Sequence, residues 1–256
     1  MSKAAAMGEG LEGALVEREC ELRRNLEIVR GRIESACVRS GRSVDSVQLV
    51  VVTKFFPATD VAALVGCGVT DVGESRDQEA VAKVGEVARL CGEISLPRWH
   101  FVGQVQSKKA VSIARYADVV QSVDRPKLVT ALAGAASRAG RRLDVLLQVD
   151  LRSSEAISED PGRGGVPPAE LARLADFVMQ HKDLRLRGLM SVAPRNVEPA
   201  AAFAELFCAR ERFLCNHPSA TWLSAGMSGD FEEAIQAGAT HVRVGSAILG
   251  SRSTYG

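Results

Sequence analysis

The sequence predicts an α/β protein, a single closed (β/α)8 (TIM) barrel with an extra N-terminal helix. Three observations predict it. Short β-branched runs alternate with alanine- and leucine-rich stretches along most of the chain. Eight runs have strand character, and eight βα units in about 200 residues fit a closed barrel. No glycine-rich fingerprint follows the first run, where Lys54 leads into Phe55, Phe56, Pro57 and Ala58, which disfavours a doubly wound dinucleotide-binding sheet.

The elements follow in order. An amphipathic helix is read over about 11–40, because Leu15, Leu22, Leu26, Val29 and Ile33 recur at helical spacing; "SGRS" (Ser40–Ser43) ends it. The barrel then spans about 46–252, with 1–256 as one domain. Strands are expected at 47–53, 71–74, 99–103, 119–123, 143–150, 184–192, 221–226 and 241–245. Helical patterns such as "ATDVAALVGCG" and "PPAELARLADFVMQH" fill the gaps, and several end in glycine, at Gly68, Gly140 and Gly238. Strands alternating with helices imply right-handed βαβ units and a parallel sheet. The polar, glycine-bearing segment 151–168 is read as a mobile loop on the face where barrel active sites lie.

Composition excludes several classes of function. The net charge is +1, so no global field points to nucleic acid or to an acidic membrane. No apolar run approaches the ~20 residues that span a bilayer. The N-terminus lacks the apolar core of a signal peptide, so a cytoplasmic protein is expected. The six cysteines are scattered without a C-x-x-C pair and read as small buried hydrophobes in a reducing compartment. The four histidines are dispersed, and no metal site is expected. No exposed heptad or long apolar edge is evident, so a monomer is expected.

Barrel chemistry gathers at the C-terminal ends of the strands. Those ends carry Lys54, Glu74, Ser75, Gly103, Gln104, Ser122, Asp124, Asp150, Ser191, Ser224, Gly226, Arg243 and Gly245. A lysine after a strand is most often solvent-facing. At the mouth of an apolar barrel it has a second reading, because desolvation favours the neutral, nucleophilic amine. Lys54 is then a candidate Schiff-base lysine. "SAGMSGDFEEA" sets Gly226, Ser228 and Gly229 ahead of one helix, and "VRVGSAILG" sets Gly245 and Ser246 ahead of another. Glycines let backbone N–H groups approach an anion, and helix N-termini favour its charge. Ordinary β-to-α turns also need glycine and serine. Two such clusters in the last two loops, with a lysine ending the first strand, form a stronger signal for a phosphate site than either cluster alone.

The blocks "VVVTKF", "GES" (73–75), "WHFVGQVQSKK" (99–109), "LRGLMSV" (186–192), "SAGMSGD" (224–230) and "HVRVGSAILG" (241–250) resemble the pyridoxal-phosphate homeostasis proteins, the YggS/PROSC family, from about Leu22 to Arg252. The resemblance implies a barrel of the alanine racemase N-terminal domain type. It implies binding of pyridoxal 5'-phosphate (PLP) through a Schiff base at Lys54, in the service of intracellular PLP storage, buffering or delivery. It puts the phosphate on Ser228, Gly245 and Ser246, with Met227 and Gly226 nearby, and sets Arg243 against the pyridine nitrogen. Ser224 and Met190 fall close to the ring, and Ser75 stands where many members have asparagine. A guanidinium only donates and stays protonated, so Arg243 would leave the ring nitrogen an unprotonated acceptor and the ring a poorer electron sink. The alternative for Arg243 is pairing with a barrel carboxylate such as Glu74. Apo PLP-dependent enzymes are the candidate partners.

Two enzymatic readings stand beside the carrier: a PLP-dependent amino-acid racemase or decarboxylase, and a cofactor-free Schiff-base aldolase acting on a sugar phosphate. Racemases of this barrel class resemble the chain over one domain and need a second domain carrying a tyrosine base. The chain ends at Gly256, and neither Tyr116 nor Tyr255 is placed as an obvious base. A PLP-binding protein without turnover is the expectation.

Overall fold

The structure is a computed structural model, and it describes residues 3–92, 94–152, 164–194 and 197–251. Eight parallel strands close into a barrel in sequence order: β1 (Gln48–Val52), β2 (Asp71–Glu74), β3 (Arg98–Phe101), β4 (Val119–Val123), β5 (Leu143–Gln148), β6 (Leu184–Met190), β7 (Trp222–Ser224) and β8 (His241–Val244). Closure comes from β8 pairing with β1, with Arg243 in register with Val50 and Val244 with Val51. The expected strands are all present. β7 is shorter than expected because the chain turns at Gly226, whose φ is +88°.

The helices are α1 (Lys3–Arg39), α2 (Ala58–Gly66), α3 (Asp77–Cys91), α4 (Ala110–Tyr116), α5 (Pro126–Arg138), α6 (Leu171–Met179), α7 (Pro199–Asn216), α8 (Phe231–Gln236) and α9 (Ser246–Leu249). Helix α1 begins well before residue 11. Once anchored downstream, a helix propagates readily through a segment such as Ala4–Ala6. Its buried stripe is Leu22, Leu26, Val29 and Ile33, set against α2, α8 and α9; Leu15 shares the spacing but is exposed. Arg18 of α1 ties two of these neighbours together, reaching Asp60 of α2 (2.7 Å) and the Leu249 carbonyl of α9 (3.0 Å). Asn25 donates to the adjacent Ile248 carbonyl at 3.0 Å. The middle of the 151–168 connection, residues 153–163, lies outside the described residues, and the mobility expected of that loop falls with it. Among the described residues no helix is long and apolar enough to cross a membrane, and no cluster of three or more His, Cys, Asp or Glu could hold a metal. The cysteines depart from the expected burial. Cys37 and Cys91 are buried, but Cys20, Cys208 and Cys215 are exposed on helix surfaces.

Strand alternation divides the interior from the layer beneath the helices. Val51, Val72, Phe101, Val120, Val145, Leu147, Leu189, Leu223, Val242 and Val244 belong to the large apolar core shared with the helices. The opposite face of the same strands carries Asp71, His100, Gln121, Ser224, His241 and Arg243, all buried. A small separate cluster of Val119, Leu146 and Met190 lies with them. The branched aliphatic layers usual in such barrels are thus partly replaced by polar groups.

His241 stacks on Trp222 at 4.3 Å between ring centroids and lies 6.5 Å from His100. Burial, reinforced by His100, pushes His241 down from 6.5 to about 3. The unfolded chain therefore binds this proton first, and stability falls as pH drops from about 6.5 towards 3, by at most ~1.4 kcal/mol per pH unit. Urea unfolding of His241→Phe across that window should show a flatter slope than wild type. An unchanged slope would remove His241 from the account.

Candidate functional site

The site starts where β1 ends. Thr53 and Lys54 point to opposite sides, as the alternation requires. Thr53 is fully buried and donates its hydroxyl to Glu74 Oε1 at 2.7 Å. Lys83 of α3 closes the knot, with Nζ 2.6 Å from the same carboxylate oxygen and 2.8 Å from the Thr53 carbonyl. Glu74 therefore does not join the rim ring or pair with Arg243. It lies in the strand–helix layer and binds the ends of β1 and β2 to α3. That fixes the two residues that follow, Lys54 and Ser75, at the mouth.

Phe55 leaves Lys54 in the left-handed region, with φ +70°. A non-glycine residue persists there only when its surroundings hold it. Its N–H donates to Glu79 at 3.3 Å, and Arg76, itself bonded to Glu79, lies 4.5 Å over its ring. Phe55 and Phe56 then join Lys54, Ser75, Val52, Gly103, Met227, Ser228, Arg243, Gly245 and Ser246 around a cavity of about 530 Å³. Gly103 has a steric reason: a Cβ there would lie 2.2 Å from the Ser75 carbonyl oxygen.

On the far wall the β8–α9 loop presents its backbone. The N–H groups of Gly245 and Ala247 converge on one oxygen, the Ser228 hydroxyl, at 3.2 and 3.4 Å. This is a cradle for an anionic oxygen, with a neutral oxygen standing in it. Gly226 closes the preceding turn; a Cβ there would lie 2.7 Å from the Phe231 Cα.

Arg243 forms the floor. It is buried, which pushes it down to about 10, still protonated at neutral pH. Its Nη1 donates to Ser224 Oγ and its Nη2 to the Ser191 carbonyl, each at 2.7 Å. The group can offer further N–H donors to the cavity it lines.

Of the ten residues read from the sequence as cofactor-binding, Lys54, Ser75, Met227, Ser228, Arg243, Gly245 and Ser246 line this one cavity. Ser224 lies beneath Arg243, Gly226 supports the loop, and Met190 packs with Val119 and Leu146. Other strand-end residues have partners of their own over the β3–β5 side. Ser122 donates to the Gly103 carbonyl, Asp124 pairs with Arg125, and Asp150 pairs with Arg152. Tyr116 ends α4, buried outside the cavity lining, with its phenol pushed up by burial and the nearby Asp77 and Glu74 carboxylates. Tyr255 lies outside the described residues. The sequence reading missed Lys83, the Ala247 amide, Gln121 and His100. No chemical role was read for the Asp71, His100 and Gln121 side chains, which only the inward phase of their strands brings together.

Lys83→Met should destabilise the fold by about 3–5 kcal/mol, by leaving the Glu74 carboxylate buried and uncompensated. Adding Glu74→Gln should restore part of that loss. Denaturant unfolding of the single and double variants checks it, and additive losses would show that the pair is not coupled.

The alanine racemase N-terminal domain family matches residues 22–253. A Mycobacterium leprae protein named pyridoxal phosphate homeostasis protein is 44% identical over 243 residues, covering 91% of this chain and 94% of the relative. A Bifidobacterium adolescentis protein of unknown function superposes with a TM-score of 0.82 at 30% identity, covering 91% of this chain and 96% of that one. PipY of Synechococcus elongatus PCC7942, solved with PLP bound, superposes with a TM-score of 0.73 at 32% identity, covering 87% of this chain and 100% of PipY. With these blocks in one order, around one cavity at the C-terminal mouth of one barrel, the chain belongs to the alanine racemase N-terminal domain family, and within it to the pyridoxal phosphate homeostasis proteins.

Proposed function

We propose that this chain binds PLP in the cavity between β1 and β8, held covalently by Lys54, and serves PLP homeostasis in the cytoplasm by storing, buffering or delivering the cofactor. The observation that carries the reading is the convergence on one cavity of a lysine, a buried donor-only arginine and two backbone amides aimed at a single oxygen. These fit a molecule that combines a carbonyl, an acceptor nitrogen and a phosphate. When bound, PLP supplies an aldehyde that condenses with a primary amine, and a pyridine ring that acts as an electron sink.

The chain's own residues divide the work. Lys54 offers the amine, aimed by the Thr53–Glu74–Lys83 knot below it and the Phe55 turn beside it. Gly245, Ala247, Ser228 and Ser246 receive the phosphate, with Gly226 and Met227 shaping the loop. Arg243 offers N–H to the ring nitrogen and keeps a proton off it, backed by Ser224. Ser75 offers a short hydroxyl at the rim, and Met190 supports the floor from below. With no sheet edge to offer a second copy, the closed barrel suits a monomer. Apo PLP-dependent enzymes are the partners that a delivery role requires.

The protein mixed with PLP should turn yellow, and borohydride should remove the colour and leave a permanent mass adduct on Lys54. Lys54→Ala should show neither. A colourless wild type that traps no PLP would sink the reading, and release of racemised or decarboxylated amino acid would favour the enzyme. Equilibrium dialysis should show Ser246→Ala binding PLP more weakly by about 1.5–3 kcal/mol, the value of a hydrogen bond to a charged group. Ser228→Ala should lose less, because removing that hydroxyl also frees the two amides it occupies. Equal losses in the two variants would count against the cradle as drawn.

A further inference from the structure

Arg243 is a buried cation; among the described residues none pairs with it through a carboxylate, and Asp230 acts on it only from a distance. A desolvated charge must be met by oriented dipoles if no ion pair meets it. Its Ser224 contact is the first link of a chain that runs the length of the barrel interior. Ser224 Oγ lies 2.7 Å from Gln121 Oε1. Gln121 Nε2 lies 2.8 Å from His100 Nδ1. His100 Nε2 lies 2.7 Å from Asp71 Oδ1, at the opposite end of the barrel.

With a neutral imidazole at His100, the two ends fix the direction of every bond between them. A guanidinium only donates, so Ser224 must accept from Arg243 and turn its own proton to Gln121. A carboxylate only accepts, so His100 carries a proton on Nε2, and in the neutral ring Nδ1 is bare to accept from the Gln121 amide. Ser224, Gln121 and His100 each accept at one end and donate at the other. With the imidazole neutral, a flipped amide would set its carbonyl against the bare nitrogen, and that contact would fail.

We propose that Asp71, His100, Gln121 and Ser224 form a one-way hydrogen-bond relay that orients the Arg243 guanidinium, which makes His100 and Gln121 positioning residues for the pyridine nitrogen; this rests on the reading of the cavity as a PLP site. The relay links a carboxylate at one end of the barrel to a cation at the other. Arg243 is thereby held by partners that take no part in binding the phosphate or the aldehyde. The side chains of the relay lie on four strands, β2, β3, β4 and β7, so it also reports whether those strands keep their register.

The test uses the full chain and two variants, Gln121→Met, which keeps the length and removes the amide, and Ser224→Ala. In the wild-type protein without PLP, 15N NMR should show distinct Arg243 Nη signals, because rotation is hindered, and His100 in the Nε2–H form. Each variant should merge the Nη signals, and the double variant should do no more than either single one. With PLP labelled at the ring nitrogen, both variants should move that nitrogen's signal towards the protonated form while borohydride still traps PLP on Lys54. If Gln121→Met does not fold, Ser224→Ala alone carries the comparison. Variants that fold, trap PLP and keep the wild-type Arg243 and ring-nitrogen signals would overturn the relay. Wild-type protein with hindered Arg243 signals but no trapped PLP would instead sink the cofactor reading, and with it the relay's role toward a ring.

Discussion

The pairing of β8 with β1 is the contact on which the rest depends. It joins the two ends of the barrel sequence and brings Lys54, at the exit of β1, beside the Gly245–Ala247 backbone at the exit of β8. Either segment alone is a common strand–turn–helix. Side by side, an amine and a pair of amide donors face one space. The long-range pairing also carries a folding cost, since loop closure over most of the chain must precede it. Helix α1 defrays part of that cost. It spans the seam from outside, with Arg18 joining α2, which follows β1, to α9, which follows β8.

The exits of β1 and β2 are used on both of their sides. At β1, Thr53 turns outward into a buried knot with Glu74 and Lys83, and Lys54 turns inward. At β2, Glu74 turns outward and Ser75 reaches the mouth. The outward residue fixes the backbone, and the backbone aims the inward residue. This is how a flexible lysine, with substantial rotamer entropy of its own, is confined to one wall of a cavity. The arrangement explains why a buried ion pair with little net stabilisation can still be worth keeping.

The fold was largely legible because it depends on periodicity. Eight β-branched runs, the alternation with helices and the glycines that close them all survive in the barrel. So do the turn glycines and serines of the last two loops, because backbone approach to an anion needs a recognisable residue type. What escaped depends on phase rather than type. Glu74 reads as a rim carboxylate until the strand register turns it outward. Met190 reads as a ring neighbour and packs instead with Val119 and Leu146. Gln121 and His100 look like ordinary strand residues, and their roles exist only once four strands set them end to end. The expected burial of the cysteines held for Cys37 and Cys91 and failed for Cys20, Cys208 and Cys215, the last two sharing the outer face of a helix whose other face is buried.

The Ser228 hydroxyl in the grip of the Gly245 and Ala247 amides bears on how tightly any anion is held. Those amides already have an acceptor, so a phosphate bound there would replace a resting occupant rather than fill a vacuum. The gain is then the difference between a charged and a neutral acceptor, smaller than the full strength of either bond. On departure of an anion the same hydroxyl would be at hand to satisfy the amides again. A cradle with a built-in substitute is tuned for turnover of its cargo more than for permanent possession.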